Sequence, residues 1–167
     1  MTKFEAHLPA SVRVGVMTAL AQIEALADWS DWVPLEEAAA TAPLQPGVYI
    51  ARADSAGPVV YVGMAGERRG RGIRGRLTIY SRGKGLVSGL GEAAMDRALA
   101  DQSWLRDRLR DVEAGRPERA SAWGKAALVR ANLHLRWAVT DDRASALALE
   151  TRVLSELAAE NLWNRRL

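Results

Sequence analysis

A chain of 167 residues, 49% hydrophobic and with a net charge of +3, suffices for one domain with a core of its own. It holds no apolar run of the roughly 18–20 residues that a membrane span needs, and its start, MTKFEAHLPA, lacks the charged leader and apolar block of an export signal, so no membrane partner and a cytoplasmic location are expected. Zero cysteines exclude disulfides, thiolate metal sites and a cysteine nucleophile, and two histidines, His7 and His134, are too few for a multi-histidine zinc site, so any metal must be held mainly by oxygen.

Taken in chain order, Ser11 is the expected N-cap of a helix over residues 12–28, with Val12, Val16, Leu20, Ile23 and Ala27 on one stripe and Trp29 and Trp32 following as packing residues. Pro46-Gly47 punctuates the chain. Val48-Tyr49-Ile50 and Val59-Val60-Tyr61-Val62 then form two short β-branched and aromatic runs, separated by Asp54, Ser55, Gly57 and Pro58, which predicts a hairpin. If it folds about Ser55, Tyr49 lies opposite Tyr61 and two phenols stand side by side on one sheet face. After Gly63 and a glycine-rich loop (Gly66, Gly70, Gly72) comes a short helix over residues 73–81, on which Arg76 and Tyr80 are four apart and share a face. Helices are expected over residues 90–113 and 119–130, a third strand at Leu133-His134-Leu135-Arg136-Trp137, and a last helix over residues 143–160. On that last helix Glu150 shares the apolar face of Ala146, Val153, Leu154 and Leu157, where a bare charge is costly unless a cation or an arginine compensates it.

Charge is unevenly spread. Residues 64–86 hold Arg68, Arg69, Arg71, Arg74, Arg76, Arg82 and Lys84 against one acid, Glu67, a local surplus of six on a chain whose total is +3. That is the footprint of a polyanion ligand such as nucleic acid. Residues 1–45 are acidic, with Lys3 and Arg13 against six carboxylates, and are a poor clamp for DNA. They are expected to pack on the core or to form a homodimer contact through the apolar stripe and Trp29 and Trp32.

Together these residues resemble the GIY-YIG nucleases. The family's first signature stands as Gly47-Val48-Tyr49 and its second as Tyr61-Val62-Gly63 after an eleven-residue gap; its helix arginine matches Arg76, the position four residues on matches Tyr80, its metal-binding glutamate matches Glu150 in ALETRVL, and its terminal asparagine matches Asn164 in LWNRRL. The resemblance covers residues 46–82 and 132–167. It implies an α+β fold with a small three-stranded antiparallel sheet flanked by helices; outside it, the chain itself is read as adding an N-terminal helical extension (1–45) and a helical insertion at 84–131 inside a nuclease domain of 46–167. It also implies a DNA endonuclease with one divalent cation, Mg2+ or Mn2+, held by Glu150.

On this expectation Tyr49, Tyr61, Arg76, Tyr80, Glu150 and Asn164 form the catalytic set, and Arg68, Arg69, Arg71, Arg74, Arg82 and Lys84 contact the nucleic acid. Arg76 adds positive charge to the transition state. Tyr49 is the base or positioner of the attacking water, Tyr61 and Tyr80 order water and phosphate, and Asn164 orients the site. A phenol with an ordinary pKa near 10 needs neighbouring cations to lower it before it can act as a base at neutral pH. An N-terminal segment plus an insertion is similar to the restriction enzymes of the family. A structure-specific repair or recombination nuclease and a non-catalytic nucleic-acid-binding module are the alternatives.

Overall fold

A computed structural model describes residues 20–87 and 89–164. The fold is α+β, built on an antiparallel sheet. The hairpin forms as β2 (Gly47–Ala53) and β3 (Val59–Ala65), where β-branched and aromatic residues suit a pleated, largely buried ladder. Its register differs from the expected one: Tyr49 pairs with Gly63 and Tyr61 with Ala51, and a bulge follows between Ala51 and Arg52. The slip is two residues, and side chains alternate with period two, so both phenols stay on one face as diagonal rather than direct neighbours.

The third predicted strand forms as β4 (Leu133–Val139) and pairs with β2, setting Trp137 opposite Tyr49. A fourth strand, β1 (Val33–Pro34), pairs with Leu135 and His134 of β4, so the sheet has order β1-β4-β2-β3 rather than three strands. Two residues ending in proline carry no alternation to be seen in a sequence, and an edge is where proline is tolerated.

Each sheet face has its own core. Tyr49, Ala51, Tyr61, Leu133 and Leu135 meet α1 (Leu35–Thr41), α2 (Gly72–Ser81) and α3 (Gly89–Leu99) through Ala38, Ile73, Leu77, Tyr80 and Leu90. On the other face Val48, Ile50, Val62 and Ala138 meet Leu149 and Val153 of α6 (Arg143–Glu156), together with Leu157 and Ile23. Each fully buried Ile, Leu or Val contributes about 1.5–3 kcal/mol, which makes the sheet the stable centre on which the site is mounted.

The helix expected over residues 90–113 is broken in two. Asp101 caps a new helix, α4 (Gln102–Glu113), by accepting from the backbone N–H groups of Ser103 (2.8 Å) and Trp104 (3.3 Å). Its carboxyl lies far below the ordinary range because Ser103 and Arg130 hydrogen-bond to it. α5 (Ala120–Ala131) follows, stopped by Asn132 in the left-handed region at φ 46°. α6 starts at the Asp142 cap, which accepts from Ser145 N–H at 2.7 Å, and ends four residues earlier than expected.

Of the helix expected over 12–28, residues 20–24 are helical, while Ser11, Val12 and Val16 lie outside the described residues. Ile23 is fully buried against the sheet. Trp32 is held between Arg52 (4.4 Å) and Arg136 (4.8 Å), and Arg136, itself 4% exposed, pairs with Glu24 and also stacks on Trp29. From residue 20 onward the expected extension is thus part of the core, and both tryptophans are occupied within the chain.

Candidate active site

β2, β3 and α2 bring three phenols and one guanidinium together. The Tyr49 and Tyr80 hydroxyls are hydrogen-bonded at 3.1 Å, the Tyr61 ring stacks beside Tyr49 at 6.3 Å, and the Arg76 guanidinium lies 5.1 Å from the Tyr80 ring centre. Tyr80 is 0% exposed, Tyr49 1% and Tyr61 8%, so Tyr61 is the phenol with most access to solvent. The Arg76 Nε is buried without a hydrogen-bond partner among the described residues. A cation so placed has donor capacity in reserve for an anion.

Burial pushes the Tyr49 phenol well above its ordinary pKa; Tyr80 and Tyr61 add to the rise and Arg76 opposes it. Tyr61 moves the same way, first from burial and then from Tyr80. At these phenols desolvation plus the neighbouring phenols outweighs the one guanidinium, so Arg76 by itself does not meet the condition for a tyrosine base. The consequence for stability has a definite sign. Below pH ~10, the unfolded phenol pKa, both states are neutral and nothing is lost; above it the unfolded chain releases protons that the folded chain retains, and stability falls. Denaturant unfolding followed through that range should show the fall in the parent and a shallower one in Tyr49→Phe. Parallel curves would mean that Tyr49 is not held neutral by burial.

Glu150 reaches the same centre from the opposite sheet face. β3 is an edge strand, and α6 sets the half-buried Glu150 carboxyl against its free side, near the Met64 N–H and Arg76. Burial raises its pKa, with the Met64 N–H and Arg76 pulling the other way. Among the described residues no Lys or Arg forms an ion pair with it, so none of them supplies the arginine pairing that would make Glu150 purely structural.

Asn164 docks on the same edge. Its side-chain oxygen accepts from Val62 N–H (3.0 Å), its amide nitrogen donates to Val62 C=O (2.7 Å), and Trp163 N–H donates to Val60 C=O (2.6 Å). It is neither a helix cap nor a free hydrogen-bonding group. It completes the ladder of an otherwise open edge. Asn164→Ala removes both bonds and leaves two peptide groups unpaired, which should cost about 1–3 kcal/mol in denaturant unfolding. An unchanged midpoint would show that the edge is held by other contacts.

Sequence reasoning missed the part played by the insertion. Gly89, at φ +61°, lies where a Cβ would come within 2.6 Å of the Tyr80 hydroxyl, 3.0 Å of the Tyr61 hydroxyl and 3.1 Å of an Arg76 nitrogen. A cavity of about 230 Å³ opens beside it, lined by Tyr61, Glu92, Asp96, Trp163 and Asn164. The run Gly83, Gly85, Gly89, Gly91 was the available signal for a close backbone approach.

Apart from Arg76, the basic block is not brought to the phenols. Arg68, Arg69, Arg71, Arg74, Arg82 and Lys84 line a groove of about 620 Å³ with Leu44, Gly75, Thr78 and Ile79. Positions 74, 75, 78, 79 and 82 run along one side of α2, while Ile73, Arg76, Leu77 and Tyr80 occupy the other. The lone acid of the block, Glu67, faces away and accepts from Arg143 N–H at 3.0 Å.

No cluster of three or more His, Cys, Asp or Glu side chains that would by itself cage a metal occurs among the described residues. Glu150 alone still suits a hard cation of the Mg2+ type, which keeps several waters and binds one or two carboxylates together with substrate phosphates. No helix among the described residues is long and apolar enough to cross a membrane. Comparison with family models, with curated proteins and with solved structures finds no match in any of the three.

Proposed function

We propose that the protein is a metal-dependent DNA endonuclease of the GIY-YIG kind, with restriction-like cleavage as its use. One observation carries the reading: Arg76, with buried donor capacity to spare, and Glu150, half-buried and without an ion-pair partner among the described residues, lie close enough to act electrostatically on each other and on Tyr61. A carboxylate and a guanidinium kept near each other yet apart are the pair that phosphodiester hydrolysis needs.

Glu150 is the residue that would hold Mg2+ or Mn2+, and a bound cation supplies Lewis acidity to the phosphate oxygens. Arg76 stabilises the negative charge that grows on the phosphorus centre, and its fixed position avoids reorganisation during the reaction. Tyr61, the most accessible phenol and part of the cavity wall, orders the attacking water. Tyr49 and Tyr80 act through their mutual hydrogen bond as positioning residues that fix Tyr61 and Arg76. A Tyr49 base is disfavoured because its phenol holds its proton more tightly than an ordinary one. Asn164 ties the C-terminal segment to β3 and so sets the wall of the cavity.

The burial of Tyr49 and Tyr80 also favours a second reading, a nucleic-acid-binding module without catalysis. A plasmid-nicking assay with and without Mg2+ or Mn2+ separates the two. Metal-dependent conversion of supercoiled to open-circular or linear DNA, lost in Arg76→Ala, supports the nuclease; DNA binding with no conversion at any metal concentration supports the module.

A further inference from the structure

We propose that the groove on the outer side of α2 holds a segment of nucleic-acid backbone other than the one being cut. The term "other than the one being cut" rests on the nuclease reading; the binding of backbone does not.

The chemistry of the groove is one-sided. Six cationic side chains line it and no acid does. Arg74 spends its Nε on the Ala42 carbonyl at 2.5 Å, but Arg68, Arg69, Arg71, Arg82 and Lys84 make no side-chain hydrogen bond or ion pair among the described residues. Like charges gathered in this way repel until an anion enters. Backbone geometry reinforces the gathering, since Arg68 and Arg69 adopt φ of 44° and 58°, a region that side chains other than glycine seldom occupy. Strain of this kind persists only where the surroundings impose it.

The shape selects the anion. α2 has ten residues, so the groove that follows it is about 15 Å long at 1.5 Å per residue, bounded by Arg68–Arg71 before the helix and by Arg82 and Lys84 after it. At about 3.4 Å of axis per charge on one strand, that length passes about four phosphates. A concave channel cannot meet a flat bilayer, and its only apolar members are Leu44 and Ile79, too few for an anchor. A rod-shaped polyanion with regular charge spacing is the occupant that matches.

Position makes the segment distinct. Arg76 and Tyr80 face the sheet, the groove residues face away from it, and the body of a helix with its side chains is about 10–12 Å across. A phosphate bound by Arg68, Arg71 and Arg82 is therefore not the phosphate between Arg76 and Glu150.

The test uses the full chain, a short DNA duplex and no metal, so that nothing is cut. Native mass spectrometry should find two duplexes on the parent and one on the triple variant Arg68→Ala/Arg71→Ala/Arg82→Ala. The slope of log affinity against log salt for the lost duplex should account for up to about 0.9 per phosphate contact. The corresponding triple lysine variant keeps the charge and should restore the second duplex, an outcome that a merely misfolded alanine variant would not explain. A single duplex on the parent, weakened but not lost in the alanine variant, overturns the proposal and makes the groove part of the cut strand's track. Unchanged stoichiometry and slope in the alanine variant also overturn it. If the nicking assay shows no cleavage while the groove variants still lose a duplex, the nuclease reading fails and the backbone site stands.

Discussion

Glu150→Gln is expected to abolish metal-dependent cleavage, by on the order of a thousandfold, since losing a cation's grip on a phosphoryl oxygen removes several kcal/mol of transition-state stabilisation. The amide keeps the length of the side chain and still offers an oxygen to the Met64 N–H, so the edge of β3 should stay intact. Stability should hold or rise. Burial already raises the Glu150 pKa, so the folded state favours the neutral form. In the parent, stability accordingly falls as pH rises from the ordinary carboxylate pKa near 4.3 through the raised folded value, and the glutamine variant should lack this fall. Single-turnover cleavage and thermal unfolding across the acidic range check both halves. Cleavage equal to that of the parent would remove Glu150 from the chemistry. A variant that loses cleavage together with its fold would assign Glu150 to the β3 edge instead.

Gly89→Ala is expected to damage both the fold and the site although it adds one methyl group. The residue stands at φ +61°, where a non-glycine residue costs about 1–3 kcal/mol. The new Cβ must also displace the hydroxyls of Tyr80 and Tyr61 and a nitrogen of Arg76, each lying within 3.1 Å of its ideal position. A shift of about 1 Å in such groups can cost on the order of a hundredfold in rate. The expected result is a melting temperature several degrees lower, about 2–4 °C per kcal/mol for a chain of this size, and a cleavage rate reduced by about two orders of magnitude at saturating DNA. Gly115, also at positive φ but with open space around its Cβ direction, is the control: Gly115→Ala carries the backbone strain without the collision. Equal rates in the two alanine variants would show that the approach of Gly89 to the phenols has no bearing on the reaction.

Several features are legible in the sequence because they rest on local chemistry. Alternating and β-branched residues marked β2, β3 and β4, and the spacing of Arg76 and Tyr80 put them on one helix face. The apolar neighbours of Glu150 on its helix marked it as a carboxyl on a buried face, and the structure makes it half-buried. The last helix was expected to begin at residue 143 and does so, with Asp142 as its cap. Each signal is carried by neighbours within about one turn or one strand.

What the chain alone did not reveal depends on residues far apart in sequence. The register of Tyr49 and Tyr61 turned on where the hairpin closed and on the bulge after Ala51; the two-residue slip was harmless only because side chains alternate with period two. The separation of the other basic residues of the block from Arg76 and the phenols is set by which side of α2 meets the sheet, and hydrophobic burial of Ile73, Leu77 and Tyr80 decides that. The protonation of the phenols was not legible because charge counts along a sequence omit desolvation, which exists only once Tyr49 and Tyr80 are enclosed. Asn164 meets Val62, 102 residues away, and Gly89 closes on three groups drawn from β3 and α2. Residue type and short-range spacing thus determined which side chains were available for chemistry. Long-range packing alone decided which of them meet, which keep their protons, and which face away from the rest.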